Sequence, residues 1–237
     1  MAATVAASTG AVEDASETAQ LALLFSALES VGHSSDWYHW ARSEGLYFNR
    51  DALVSRLRSG DGLDDRSAGR IIVLDVRDED VAGGMVRGAI HCPDGRFGAE
   101  CILELLRRAA REEEEEEKTT LLLHCMESAR RAPRCARRLI AAVDALRESG
   151  HPVQPLDVKI LEGGFDQFCR RHWDDPVLVQ GYDDEYWGYE SMGGSQLVLG
   201  EGGEVRGSDK APSHVTYVRP ADQAATPWSG PGTVPMG

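Results

Sequence analysis

The chain has 237 residues, 42% of them hydrophobic, and a formal net charge of −14. The apolar share suffices for a real core and argues against wholesale disorder, and the length holds one medium domain with tails or two small ones. The acidic balance argues against a general nucleic-acid binder, which needs a surplus of Lys and Arg to neutralise phosphates.

In chain order, residues 1–17 are rich in Ala, Thr and Ser without periodicity and predict a disordered tail. From Thr18 the pattern changes: Leu21, Leu24, Phe25 and Leu28 recur at helical spacing and predict an amphipathic helix. "SDWYHWARSEG" opens on a Ser-Asp helix-start signal and clusters Trp37, Tyr38 and Trp40, which are expected to dock against the main domain. "NRDALVSRLRSG" predicts a short helix capped by Asn49 and closed by Gly60, and the loop "DGLDDRSAG" follows. "RIIVLDVRD" is too short for a helix and rich in branched residues, so it predicts a buried strand. "GAIHCP" predicts a second short strand stopped by Pro93. "GAECILELLRRAAREEEEEE" predicts a helix with its apolar stripe at Ile102, Leu103, Leu105 and Leu106, and the run Glu112 to Glu117 reads as a solvated end. "TTLLLHC" predicts a third buried strand, Arg130 to Ser149 a long helix, "LDVKILEGG" a fourth strand and "FDQFCRRHW" a further helix. After about Trp187 the chain is rich in Gly and Pro, and residues 190–237 predict a flexible tail.

Strands alternating with helices, the strands apolar throughout, predict an α/β fold: a parallel sheet in three layers with helices on both faces. Ligands in such sheets sit beyond the carboxyl ends of the strands, which puts the loop after "TTLLLHC" where a site belongs. The five cysteines, Cys92, Cys101, Cys125, Cys135 and Cys169, are irregularly spaced and include no Cys-x2-Cys pair, so neither a zinc ribbon nor a redox motif has support. The first twenty residues hold no Lys or Arg and do not resemble a secretory leader. No apolar run nears the roughly 20 residues a membrane span needs. These features predict a soluble cytoplasmic or nuclear protein with free thiols, no membrane contact and no metal.

Cys125 ends an apolar strand and the long helix starts a few residues later, so the connecting backbone offers successive N–H groups and a helix N-terminus to an anion. Such a field, with arginines nearby, favours the nucleophilic thiolate. Arg131 follows at Cys-x5-Arg, a loop long enough to wrap a tetrahedral oxyanion with the guanidinium gripping two of its oxygens. The competing reading is a buried thiol that only packs, since buried cysteines usually do.

Three stretches in this order, "IIVLDVRDEDVAGGMVRGAIHCPDGRF", "HCMESARRAP" and "ILEGGFDQF", resemble the landmarks of rhodanese-like domains. The His-Cys-x5-Arg-x-Pro version is similar to the M-phase inducer phosphatases and the related small phosphatases and arsenate reductases of yeasts and plants. "GYDDEYWGY" also looks like the closing segment of the small fungal members. The similarity covers residues 47–189, leaving 18–46 as a helical N-terminal extension. It implies Cys125 as nucleophile and Arg131 as the phosphate-binding side chain, with Met126, Glu127, Ser128, Ala129 and Arg130 supplying loop amides. It further implies Asp75 and Arg77 as a buttress under the loop and His124 turned toward backbone to tune the thiolate.

Several departures stand out. Ala132 replaces the usual Gly, "GMV" (Gly84, Met85, Val86) replaces "GHI", and Val76 replaces the protective cysteine of the M-phase inducers, leaving Cys92 and Cys135 as resolving-thiol candidates. Arg130 also offers a shorter Cys-x4-Arg reading of the sulfurtransferase kind. Glu127 is the nearest carboxylate for a general acid, and Asp94 is a second choice. The first expectation is a cysteine-dependent phosphatase of the protein tyrosine or dual-specificity type, acting on a phosphorylated protein or a small oxyanion and needing no cofactor. The second is an arsenate reductase on the same loop, with glutathione as co-substrate or glutaredoxin as reductant. A sulfurtransferase and a non-enzymatic interaction module are the remaining readings. Arg130, Arg134, Arg137 and Arg138 form a basic set, read either as solvated helix charges or as an attractor for an acidic partner.

Overall fold

Branched apolar residues in short runs have nowhere to bury both faces except in a sheet covered on each side, and this chain follows that rule. The structure, a computed structural model, describes residues 6–34, 36–59, 63, 69–110 and 119–188. Five strands, β1 (Tyr47–Phe48), β2 (Ile71–Asp75), β4 (Ile90–His91), β5 (Thr119–His124) and β6 (Leu156–Leu161), form a sheet in the order β1-β6-β5-β2-β4. Every pair in it is parallel. The central register runs from Ile71 beside Thr120 to Asp75 beside His124, so "LD" of β2 and "LH" of β5 end level at the carboxyl edge. A small antiparallel pair, β3 (Met85–Val86) with β7 (Val179–Gln180), lies apart from the main sheet.

The side-chain alternation of the strands divides the core in two. On one face Ile72, Leu74, Leu121, Leu123, Val158 and Ile160 pack with the buried residues of α4 (Ala99–Ala109) and α5 (Arg131–Glu148). The helices α1 (Ala6–Ser30) and α2 (Trp37–Ser43) add Leu24 and Ala41 to this cluster. On the other face, Ile71, Val73, Leu122 and Leu161 are buried, as are Leu53 of α3 (Arg50–Arg58) and Phe165 and Phe168 of α6 (Gly164–His172). The result is the three-layer α/β fold with a parallel sheet.

Several local expectations change. The first helix begins at Ala6, not Thr18, because alanine is the strongest helix former and extends the helix backwards without needing an apolar stripe. Phe25 is 52% exposed: it sits about 100° around the helix from the buried Leu24, off the stripe. Asp36 makes no capping bond with its side chain; instead Ser34 Oγ accepts from the Asp36 N–H at 3.0 Å. Asn49 does cap α3, accepting from Asp51 and Ala52 N–H, but the helix closes at Ser59, and Gly60 lies outside the described residues. The glutamate run lies outside them too, as do residues 190–237 and most of "DGLDDRSAG". A last short helix, α7 (Asp184–Trp187), has Asp183 as its cap. Among the described residues no helix is long and apolar enough to cross a membrane.

Candidate active site

β5 carries His124 and Cys125 to the carboxyl edge of the sheet, and α5 starts at Arg131, so residues 125–130 must turn back on themselves within one loop. Ser128 makes that turn with φ 55°, a left-handed conformation that no other described non-glycine residue adopts. Three of the loop carbonyls are held from outside. The N–H of Phe165 donates to the Cys125 carbonyl and that of Asp166 to the Met126 carbonyl, each at 2.9 Å. The Tyr47 hydroxyl donates to the Ser128 carbonyl at 2.8 Å. A trans peptide sends its N–H opposite to its C=O. The N–H groups of Met126, Glu127 and Ala129 therefore point away from these anchors, and none finds a backbone acceptor among the described residues. Gly164 makes the anchoring possible: a Cβ there would lie 2.3 Å from the Met126 oxygen and 2.6 Å from that of Cys125. This explains the "LEGG" signature physically, since only glycine lets α6 approach the loop backbone so closely.

Over the loop lies a cavity of about 410 Å³ lined by Cys125, Met126, Glu127, Ala129, Arg130, Arg131 and Arg134. Cys125 is only 4% exposed, at the buried side of that cavity, while Glu127 and Arg130 are exposed. Two arginines are already engaged. Arg131 forks onto Asp80, with Nη1 to Oδ1 at 2.7 Å and Nη2 to Oδ2 at 2.5 Å. Arg134 forks onto both oxygens of the buried Asp94, whose Oδ1 also accepts from the Cys135 thiol at 3.2 Å.

Beneath the loop Arg77, wholly buried, forks onto the wholly buried Asp75, with Nη2 at 2.6 Å from Oδ2. The same guanidinium donates to the carbonyls of Asp80 and Gly84 and lies 4.0 Å from the centre of the Phe165 ring. Burial opposes the charge on Asp75, but the charged Arg77 fork holds its carboxyl below the ordinary carboxylate range. His124 is also wholly buried, and burial pushes its ring below the usual histidine value, so it is neutral at pH 7. Its Nδ1 is 3.8 Å from Asp75 Oδ1 and neither ring nitrogen has a hydrogen-bond partner; the ring stacks on Phe165 at 6.0 Å.

The structure thus brings Cys125, Met126, Glu127, Ala129, Arg130 and Arg131 together around one cavity, while Ser128 is buried and does not line it; Asp75 and Arg77 brace the loop's neighbours. The His124 ring faces Phe165 and the Asp75 carboxylate. The structure corrects three expectations. Asp94 is unsuited to proton transfer, being buried and tied to Arg134 and Cys135. Cys92 and Cys101 pair as a disulfide, so Cys92 is no free resolving thiol; the free thiols are Cys125, Cys135 and Cys169. Cys135 makes a poor resolving thiol, because burial pushes it up to about 12. Sequence reasoning also missed Tyr47, Asp78 and Asp80. The two aspartates had a faint signal in the acid-rich "DVRDED" directly after the strand, and Tyr47 had none.

Residues 60–171 match the family described as "Rhodanese-like domain". Among solved structures it is similar to Ygr203w, described as a yeast protein tyrosine phosphatase of the Rhodanese family, at 24% identity over 60% of this chain and 95% of that one, with a TM-score of 0.48. A Saccharomyces cerevisiae Ygr203w structure, described as a homolog of single-domain rhodanese and the Cdc25 phosphatase catalytic domain, gives 24% identity over 60% of this chain and 90% of that one, with a TM-score of 0.49. The Leishmania major As-Sb reductase gives 25% identity over 56% and 83%, with a TM-score of 0.40. No curated protein matches the chain.

Proposed function

We propose that this rhodanese-like domain is a cysteine-dependent phosphatase working through a phosphocysteine intermediate. The observation that carries the reading is the anchored loop: with the carbonyls of Cys125, Met126 and Ser128 held by outside donors, the amides left over surround a thiol at the start of a helix. Such preorganised donors stabilise the equatorial oxygens of a phosphoryl group in transfer. The Cys125 thiolate attacks phosphorus, an S–P bond forms as the P–O bond breaks, and the leaving oxygen takes a proton. Water then attacks the phosphocysteine, releasing inorganic phosphate and the thiolate. Glu127 is the carboxylate that lines the cavity and so the candidate proton donor; an aryl oxide needs that proton less than an alkoxide does. A cavity of about 410 Å³ exceeds the needs of a bare oxyanion and supports a phosphate ester with an organic leaving group, such as a phosphorylated side chain.

The test is hydrolysis of a small aryl phosphate under reducing conditions by wild type and Cys125→Ser. Activity in the first and none in the second is the expected result. Absence of activity in both sinks the reading, and assays of arsenate reduction with glutathione and of sulfur transfer from thiosulfate then decide what the loop does instead.

A further inference from the structure

The grip of Asp80 on Arg131 has no place in the mechanism so far, and its geometry is specific. A guanidinium carries five N–H donors in one plane. Asp80 takes the end of the fork, one oxygen on each Nη, and Asp78 Oδ2 adds a contact to Nη1 at 3.3 Å. The side edge, formed by Nε–H and the outer hydrogen of Nη2, has no hydrogen-bond partner among the described residues. That edge is itself a two-donor fork suited to two oxygens of a tetrahedral oxyanion. Asp80 is in turn held in place. Its carbonyl accepts from Arg77 Nη1 at 3.1 Å and from the Tyr186 hydroxyl at 3.3 Å, and its Oδ1 accepts from the Asp78 N–H at 3.1 Å.

We propose that Asp80 is the positioning residue for Arg131: by gripping the end of the guanidinium it fixes the Nε edge toward the cavity, so that the terminal phosphoryl group of a substrate binds side-on. This rests on the phosphatase reading above and adds to it the residue that sets oxyanion affinity. Burial opposes the charge on Asp80, but the Arg131 fork and its positive charge outweigh it and hold the carboxyl below the ordinary range, so the grip persists at neutral pH. Simple charge counting predicts the reverse effect, since a carboxylate beside an anion site repels the anion. The sign of the effect therefore discriminates between the two.

The experiment uses the full chain and reads protection of Cys125 from iodoacetamide by inorganic phosphate, followed by mass spectrometry. It compares wild type, Asp80→Asn, Asp80→Glu and Asp78→Asn. The phosphate concentration for half-protection is expected to rise about tenfold in Asp80→Asn, the scale of one lost charged hydrogen bond. Asp80→Glu keeps the charge but displaces it by a methylene, and the rise is expected there as well. Asp78→Asn, which loses one long contact, shifts by less than about threefold. With aryl phosphate, KM in the Asp80 variants follows the half-protection value and kcat changes less. Unchanged or tighter phosphate binding in Asp80→Asn overturns the proposal, and so does wild-type behaviour of Asp80→Glu, which would make the pair a charge partner only. Should Asp80→Asn not fold, as read by thermal melting, Asp80→Glu decides alone. Lack of phosphate protection in the wild type removes the cradle itself and the proposal with it, whereas protection that is the same in wild type and the Asp80 variants leaves the cradle standing and removes only the proposal.

Discussion

Gly164→Ala tests whether the loop is built by close approach of α6. The glycine has φ 62°, and a Cβ at that position would lie 2.3 Å from the Met126 oxygen, with the Cys125 oxygen 2.6 Å away. Both obstacles are backbone, so no side chain can swing aside. The left-handed conformation costs a residue with a Cβ about 1–2 kcal/mol, and forcing extra volume into a packed site typically adds about 1–3 kcal/mol. Gly150→Ala separates the two contributions, because Gly150 has φ 77° and nothing within 4 Å of its Cβ position. That control is expected to lose only the conformational part, about 1–2 kcal/mol. At about 2–4 °C per kcal/mol for a domain of this size, a loss near 3 kcal/mol in Gly164→Ala lowers the melting temperature by about 6–12 °C. Thermal melting gives the stability, and aryl phosphate turnover in the surviving folded protein reports the loop, which should lose most of its activity as its two anchored carbonyls are pushed aside. A Gly164→Ala protein that melts with Gly150→Ala and turns over like wild type would refute the reasoning.

Other outcomes are expected from the same site. His124 is buried and neutral, whereas in the unfolded chain it takes up a proton below about pH 6.5, so stability falls as pH drops through that range. In denaturant titrations between pH 7.5 and 5, His124→Leu flattens this slope; the partly buried His172, shifted in the same direction by burial, keeps a remainder in both proteins. An equal slope in the two would show that His124 is not neutral in the folded state. Tyr47→Phe removes the hydroxyl that holds the Ser128 carbonyl and is expected to lose about 0.5–1.5 kcal/mol with a larger proportional loss in turnover; loss of stability alone would mean that the loop holds its shape without it. Alkylation kinetics followed by mass spectrometry should label Cys125 before Cys135 and Cys169, both pushed up to about 12 by burial, and prior labelling of either of those would contradict the burial order.

The parts of the fold legible in the sequence were those with strong burial periodicity. "IIVLD" and "TTLLLH" read as buried strands because each is a nearly continuous apolar run, "LDVKIL" because Leu156, Val158 and Ile160 recur at every second position, and placing Cys125 at the end of one located the site. Tyr47–Phe48 did not read as a strand: two residues carry no periodicity, and only their pairing with Ile160 and Leu161 makes them one. Met85–Val86 and Val179–Gln180 escaped for the same reason. The grip of Asp80 on Arg131 joins positions 51 residues apart in sequence, and charge alone does not say which of many acids an arginine finds. Cys92 and Cys101 lie nine residues apart, yet nothing in their spacing sets them apart from the other cysteines.

The bonds from α6 to the loop do more than hold it still. Cys125 C=O and Met126 N–H belong to one peptide unit, and Met126 C=O and Glu127 N–H to the next. A donor pulling electron density from the oxygen leaves the nitrogen end more positive, an effect estimated at roughly 10–30% per bond in hydrogen-bonded chains. Phe165 and Asp166 donate from the first turn of α6, the end of a helix that already carries partial positive charge. In the proposed phosphatase two helices would therefore act on one oxyanion: α5 through its own N-terminus, and α6 through the peptide bonds of the loop it holds.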